Sequence, residues 1–219
     1  MTNARGLRYS NVAIALHWAI VALILFNLAT GLLFDDMGKA MRSALIAPHI
    51  SSGITVLALT AIRIGWRLTH RPPPYLPMAA WEKALAKTVH VLLYLAMLGM
   101  PLSGWAMISA HADSPPVAKG TAAPTPVDQP PGARPAPPPH KPTMIWGVIP
   151  LPKIAPIVRI GDGRDGEAKL HEAHEFFESK HAIGGWVLLA LLVLHVAGAL
   201  KHQMVDRERE LARMGLGRA

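Results

Sequence analysis

Four long runs of this 219-residue chain contain no Asp, Glu, Lys or Arg, and they constrain its fold more than any other feature. These runs are residues 9–34, 43–62, 88–112 and 181–200. Each reaches the roughly 20 residues that an α-helix needs to cross a bilayer. Because the charged residues are only 16% of the chain and lie between the runs, a soluble bundle is the weaker alternative. We predict an all-α fold, a four-helix transmembrane bundle in one membrane domain, 1–219. The predicted spans are about 11–34, 47–67, 87–109 and 180–202.

The basic residues are concentrated on one side of the predicted bundle. The N-terminal segment, the segment 63–87 and the tail 201–219 carry net charges of +2, +4 and +2, the whole +8 of the chain. Short loops rich in Lys and Arg stay in the cytoplasm, so we predict that both termini are cytoplasmic. We call that side the inner end and the opposite side the outer end. The basic residues flank spans rather than forming a patch with aromatic residues, which argues against nucleic acid as a partner.

The first span does not fit a cleaved signal peptide. It is too long for the apolar region of such a peptide, and no small-residue cleavage site followed by a soluble domain is evident. We therefore expect it to remain as the first membrane helix.

The connection between spans three and four, 110–180, is predicted to form a long outer loop. Residues 115–142 hold eleven of the twenty prolines and should be extended or disordered. The apolar stretch 145–151 is too short to span and should rest on the membrane surface or on the outer helix ends. Residues 167–179 favour a helix, either continuous with span four or joined to it by a bend.

Two histidines in that loop have the spacing of a metal motif only in part. His171 and His174 are three residues apart, whereas the zinc-protease pattern separates its histidines by four. A metal site and a solvated helical face are both open interpretations, and the second is favoured.

Four histidines inside the apolar runs match in depth as two pairs. His17 and His195 lie at similar depths near the inner end, while His49 and His181 both lie at the outer ends of their spans. His181 and His195 are fourteen residues apart, so their rings fall on nearly one helix face, about 21 Å apart. A b-type haem takes an axial imidazole on each face of its iron. The pattern predicts two haem b groups. The inner one would lie between His17 and His195, and the outer one between His49 and His181.

Other uses of membrane histidines were weighed against this hypothesis. Histidines can join helices by hydrogen bonds, and they can relay protons. Neither use requires paired depths, and no carboxylate lies inside a span to complete a proton relay. A transporter would need polar residues along a path, and none are visible. Because the chain has no cysteine, covalent haem attachment and iron–sulfur clusters are excluded.

Several polar residues at the inner end could serve the same site. Arg8, Arg63 and Arg67 could pair with haem propionates as fork-shaped donors, or they could simply keep their end of the bundle in the cytoplasm. His90 and His202 could contact a propionate or line a quinone pocket, and each could equally be a solvated residue beside the headgroups.

The chain resembles the bacterial cytochrome b561 family over roughly residues 8–110 and 170–210. The resemblance is carried by Arg8-Tyr9-Ser10, Leu16-His17-Trp18, His49 with Gly53, Arg63-x-x-Trp66-Arg67, His90 to Tyr94, Pro101 to Trp105, His181, Leu194-His195, and Leu200-Lys201-His202 with Asp206-Arg207. The four-histidine set is its most specific part. The proline-rich stretch departs from the compact family pattern, and Ala182 follows His181 where the family usually has Glu.

The resemblance implies a di-haem b membrane cytochrome that carries electrons between an outer redox donor and the quinone pool. Members of the family include a superoxide oxidase, which passes electrons from superoxide to quinone. Others are cytochrome b subunits that relay electrons for hydrogenases and formate dehydrogenases. We expect a self-contained electron carrier with superoxide as one candidate donor, and keep a relay or anchor subunit of a larger enzyme as the alternative. The implied partners are membrane lipid, quinone and a redox partner at the outer face.

Overall fold

A computed structural model describes residues 8–111, 142–208 and 210–216. The predicted proline-rich segment therefore lies almost wholly outside the described residues. The four long helices are α1 (Asn11–Leu33), α2 (Lys39–Thr69), α3 (Ala80–Ser109) and α5 (Gly166–Met204). The short elements are β1 (Met144–Ile145), β2 (Ile149–Pro150), α4 (Ala155–Val158), a 3-10 turn (Arg159–Gly161) and α6 (Glu210–Arg213).

Each long helix is long and apolar enough to cross a membrane, and the predicted all-α transmembrane bundle is confirmed. Helix α5 has 39 residues. The helix predicted at 167–179 is thus continuous with the fourth span, without a bend-forming break in the secondary structure. Helix α1 has a capping residue at its N-terminus. The side chain of Ser10 accepts a hydrogen bond from the backbone N–H of Ala13 at 3.3 Å, which satisfies one of the N–H groups that have no partner within the helix.

The helices pack in a ring in which α1 lies on α2, α2 on α3, and α3 on α5, while α1 and α5 approach each other least. A layer of apolar side chains from all four helices fills the middle of the bundle. Its buried members are Ile20, Ile24, Val56, Val89, Leu93 and Leu188. Many other apolar side chains of the same helices are exposed, as expected where lipid rather than water surrounds a bundle.

At the outer end, the chain after the proline-rich segment folds back onto the helices. The indole N–H of Trp105 donates to the Pro152 carbonyl at 2.7 Å. The backbone N–H of Ile154 donates to the Ser109 hydroxyl at 3.0 Å. The β1–β2 hairpin lies against α2. Residues 152–154 therefore pack on the outer end of α3, whereas the hairpin packs along α2.

At the inner end, the C-terminal segment folds onto the start of α1. The indole of Trp18 donates to the Met214 carbonyl at 2.9 Å, and the backbone of Tyr9 donates to the Arg213 carbonyl at 3.2 Å. Burial raises the pKa of Tyr9, and the nearby Arg213 guanidinium opposes that shift. The phenol is therefore neutral at physiological pH.

The apolar middle layer yields a prediction with a matched control on one helix. Leu93 of α3 is 7% exposed, whereas Leu95 is 60% exposed. Leu93→Ala should destabilise the bundle by about 2–5 kcal/mol because it leaves a cavity among packed side chains. Leu95→Ala removes a lipid-facing side chain and should have a much smaller effect. The measurement is unfolding of each purified protein in detergent. Equal loss of stability in both variants would contradict the packing described above.

Candidate functional site

The four membrane histidines come together in the two pairs that their depths predict. The ring centres of His17 and His195 are 6.3 Å apart, with an angle of 72° between the ring planes. Those of His49 and His181 are 6.2 Å apart, with an angle of 70°. The inner pair joins α1 to α5 across the side where these helices approach least, and the outer pair joins α2 to α5. Helix α5 thus supplies one ring to each pair.

The distance between the rings is suited to one metal atom between them. Metal–imidazole bonds of about 2 Å on opposite sides of an atom place two ring centres roughly 6 Å apart. Both pairs have this separation, although no direct hydrogen bond links the two rings of either pair. Among the described residues, no group of three or more His, Cys, Asp and Glu could hold a metal ion. A porphyrin supplies four of its iron's ligands itself and needs only two from the protein, so the residues present fit haem b.

Both rings of the outer pair contact a hydroxyl group from a neighbouring helix. The Nδ1 atom of His49 is 2.8 Å from the Thr30 hydroxyl of α1, and the Nδ1 atom of His181 is 3.0 Å from the Ser103 hydroxyl of α3. Each hydroxyl also donates to a carbonyl of its own helix. Thr30 donates to Phe26 at 2.8 Å, and Ser103 donates to the residue three positions before it at 2.8 Å.

These bonds favour one position for the proton on each outer ring. A hydroxyl has one hydrogen, and a backbone carbonyl lies within reach to take it. With that hydrogen on the carbonyl, the hydroxyl accepts from the imidazole, and the ring proton lies on Nδ1 in His49 and His181. The Nε2 atom of each ring is left with a free lone pair, the form in which histidine binds a metal.

A glycine follows each of these hydroxyl residues and makes room for the ring. A Cβ atom at Gly31 would lie 3.2 Å from Cε1 of His49, and one at Gly104 would lie 3.2 Å from Cε1 of His181. Few Cβ contacts in proteins are this short. The two outer rings are thus seated in the same way, each on a hydroxyl–glycine pair of an adjacent helix.

The inner pair has different neighbours. No side-chain hydroxyl among the described residues bonds to either ring. Aromatic rings pack beside both of them, as the ring of Phe34 does beside His49 of the outer pair at 5.2 Å. The ring of Trp18 is 5.2 Å from that of His17, and the ring of His90 is 5.1 Å from that of His195. The Nδ1 atom of His90 donates to the Ala86 carbonyl at 2.6 Å, since a carbonyl oxygen can only accept.

Beside the inner pair lies a half-open cavity of about 380 Å³ lined by four arginines. These are Arg8, Arg63, Arg67 and Arg71. Two hydrogen bonds fix the side chain of Arg63 at this cavity. It donates to the Tyr94 hydroxyl at 3.2 Å and to the Ala13 carbonyl at 3.3 Å. The three arginines predicted at the inner edge therefore meet around one space. His90 and His202 do not line it.

His70 lines this cavity, whereas His202, His171 and His174 do not. The Nδ1 atom of His202 is 2.6 Å from a carboxylate oxygen of Asp206, which Lys201 also contacts at 2.7 Å. The hydrogen bond from Lys201 is the main reason that the pKa of Asp206 lies below its usual value. In the outer loop, His171 is exposed and His174 faces the Met107 carbonyl at 3.1 Å.

Sequence reasoning missed the hydroxyl partners of the outer rings. Thr30-Gly31 and Ser103-Gly104 both lie at the outer depth of their spans. The sequence signal that could have identified these partners is a serine or threonine followed by glycine, at the same depth as a predicted histidine ligand. It is weak because most membrane serines and threonines bond only to their own helix.

Four apolar spans with facing histidines at two depths are typical of membrane b-type cytochromes. The chain belongs to the prokaryotic cytochrome b561 family, whose model matches residues 8–217. It is therefore a multi-pass bacterial membrane protein that binds haem b and takes part in electron transfer.

Similar proteins agree with this assignment. Cytochrome b561 homolog 2 of Escherichia coli (strain K12) is 25% identical over 94% of this chain and 90% of its own length. The "probable superoxide oxidase CybB" of Yersinia pestis is 26% identical over 49% of this chain and 61% of its own length. Cytochrome b562 of Cereibacter sphaeroides is 34% identical over 48% of this chain and 67% of its own length.

Proposed function

We propose that the chain holds two haem b groups and carries electrons between an outer redox donor and the quinone pool of the bacterial inner membrane. The observation that carries the proposal is the pair of facing imidazole sites, both with ring centres a little over 6 Å apart. They lie about 21 Å apart along α5. Their separation would place one site near each membrane surface.

The four histidines are the proposed axial ligands. His17 and His195 hold the inner haem, and His49 and His181 hold the outer one. When bound, haem b supplies an iron that gains and loses one electron. The protein holds the rings, sets their protonation and excludes water from the space between the sites. The apolar middle layer of the bundle performs this last task.

The arginine-lined cavity at the inner end is the proposed binding site for a negatively charged or electron-rich group. Arg8, Arg63 and Arg67 surround it, and the two bonds of Arg63 hold its guanidinium ready for a carboxylate or a quinone oxygen. A haem propionate and a quinone head group would both be suitable there. His90 lies against His195 and contributes as a positioning residue of the inner site rather than as a lining residue of the cavity.

Superoxide is the donor that we propose first. The name of the Yersinia pestis relative includes superoxide oxidase, and a single chain supplies all four of the proposed ligands. The second candidate is a relay subunit that receives electrons from a partner enzyme, and the outer loop would be its docking region.

Removal of one ligand should remove one haem. His195→Ala should lower the haem content from two to one per chain by loss of the inner haem, and His181→Ala should do so by loss of the outer haem. His174→Ala is the matched control, because it removes a histidine seven residues before His181 on the same helix and should leave two haems. The measurement is the pyridine haemochrome content of purified protein. Two haems in the His195→Ala protein would show that the pairing is wrong.

The hydroxyl contacts should tune only the outer haem. An imidazole whose Nδ1–H is hydrogen-bonded is a stronger donor to iron and favours the oxidised form. Thr30→Val and Ser103→Ala remove the acceptor and should each raise the outer midpoint potential by a few tens of millivolts. Roughly 1 kcal/mol of hydrogen bonding corresponds to about 40 mV for one electron. Redox titration of both haems is the measurement. Thr30→Ser keeps the hydroxyl and should restore the potential, and an unchanged potential in both deletions would refute the assignment.

The functional proposal is tested with the isolated chain. Purified haem-loaded protein is mixed with superoxide and ubiquinone in a stopped-flow instrument, and formation of ubiquinol is followed. We expect quinone reduction that depends on the protein and is lost in the His195→Ala variant. If superoxide reduces the haems but quinone is reduced only after other subunits are added, the relay function is correct instead.

A further inference from the structure

The β1–β2 hairpin contacts α2 at an unexpected depth. The backbone N–H of Trp146 donates to the Ser51 hydroxyl at 2.9 Å, and its indole N–H donates to the Thr55 hydroxyl at 3.0 Å. Ser51 and Thr55 lie two and six residues beyond His49 toward the inner end, or about 3 and 9 Å deeper along α2. Both also lie near the middle of the charge-free run 43–62. The hairpin therefore reaches below the level of the outer histidine pair.

The outward surface of the hairpin is apolar. Trp146 is 55% exposed, Val148 is 75% exposed and Ile149 is 59% exposed. Residues 142–152 contain no charged side chain, and Lys141 and Lys153 flank them.

Irregular backbone is normally excluded from hydrocarbon because its polar groups lack partners. In this hairpin Ile145 pairs with Ile149 and Met144 with Pro150, and Leu151 donates to the Thr143 carbonyl at 2.8 Å. Alternate residues of an antiparallel strand point their N–H groups away from the partner strand. On the β2 side these are positions 150 and 152.

Both of these positions are proline, which has no N–H group. The free edge of the hairpin therefore presents no unpaired donor at either position. The Pro152 carbonyl is bonded to the Trp105 indole. On the β1 side, which faces α2, the Trp146 N–H is bonded to Ser51. Unpaired backbone N–H groups, the usual obstacle to a β-hairpin in hydrocarbon, are therefore largely avoided here.

Trp146 also has a φ angle of +51°, which a bulky side chain rarely adopts. The two hydrogen bonds to α2 hold it there. This backbone conformation turns the chain at the deepest point of the hairpin and directs the indole along α2.

We propose that residues 142–152 form a re-entrant hairpin that inserts into the outer half of the bilayer and contacts lipid acyl chains through Trp146, Val148 and Ile149. The proposal depends on the transmembrane class of the protein and is independent of its electron donor and acceptor.

The absence of cysteine from the chain makes a direct test possible. Val148→Cys carries a nitroxide spin label in the purified full-length protein, which is reconstituted at less than one copy per vesicle of phosphatidylethanolamine and phosphatidylglycerol. The measurement is the collision rate of the spin label with oxygen, which concentrates in lipid, divided by its collision rate with a water-soluble nickel chelate. Leu25→Cys, at a 58% exposed position in mid-span, reports lipid, and Asp162→Cys, in the outer loop, reports water.

We expect the label at position 148 to have an oxygen-to-nickel ratio near that of position 25 and several-fold above that of position 162. A ratio near that of position 162 would place the hairpin in water and overturn the proposal. Poor access to both reagents would also overturn it, because protein rather than lipid would then cover the hairpin. Val148 is a surface residue, so the substitution should leave the fold intact, and an unchanged haem spectrum checks this.

Discussion

The recurring interaction in this bundle is a serine or threonine hydroxyl that gives its hydrogen to a carbonyl of its own helix and keeps its oxygen for another donor. Such bonds satisfy the hydroxyl where water is absent. At the outer end they seat both imidazoles of one pair, through Thr30 and Ser103. They also anchor the returning outer chain, through Ser51, Thr55 and Ser109. The same type of hydrogen bond therefore holds both the outer histidine pair and the returning outer segment.

The inner end differs from the outer end because positively charged side chains surround it. Four arginines line its cavity, and among the described residues no side-chain hydroxyl bonds to its histidine pair, whereas both outer rings contact one. Hydroxyl-bonded imidazoles favour the oxidised form of an iron, whereas nearby guanidinium groups disfavour added positive charge and so favour the reduced form. Both effects would make the inner site the stronger electron acceptor. The proposed direction of flow, from an outer donor toward quinone, agrees with this difference.

Much of this arrangement could be predicted from the sequence, and the part that could not has a physical reason. Charge-free runs predict helices because a bilayer tolerates little else, and paired depths predicted which histidines face each other. The ligand roles of those histidines stay predictions. His90 and His202 gave the same signal, a histidine at the inner interface, yet one packs against His195 and the other bonds to Asp206. The partner of His90 comes from another helix, so spacing along α3 cannot show it, whereas Asp206 follows His202 by four residues, a spacing that the sequence does show.

The apolar layer between the two sites explains why electrons and protons can be separated in such a bundle. Its buried side chains come from all four helices, and the ionisable groups in the charge-free runs are histidines, Tyr94 and, at the very start of the first run, Tyr9. If both sites hold haem, electrons could tunnel between them across this apolar layer, whereas protons would need a chain of polar groups or water. Protons consumed in reducing a quinone at the inner end would therefore have to enter from that end, where the arginine-lined cavity is open.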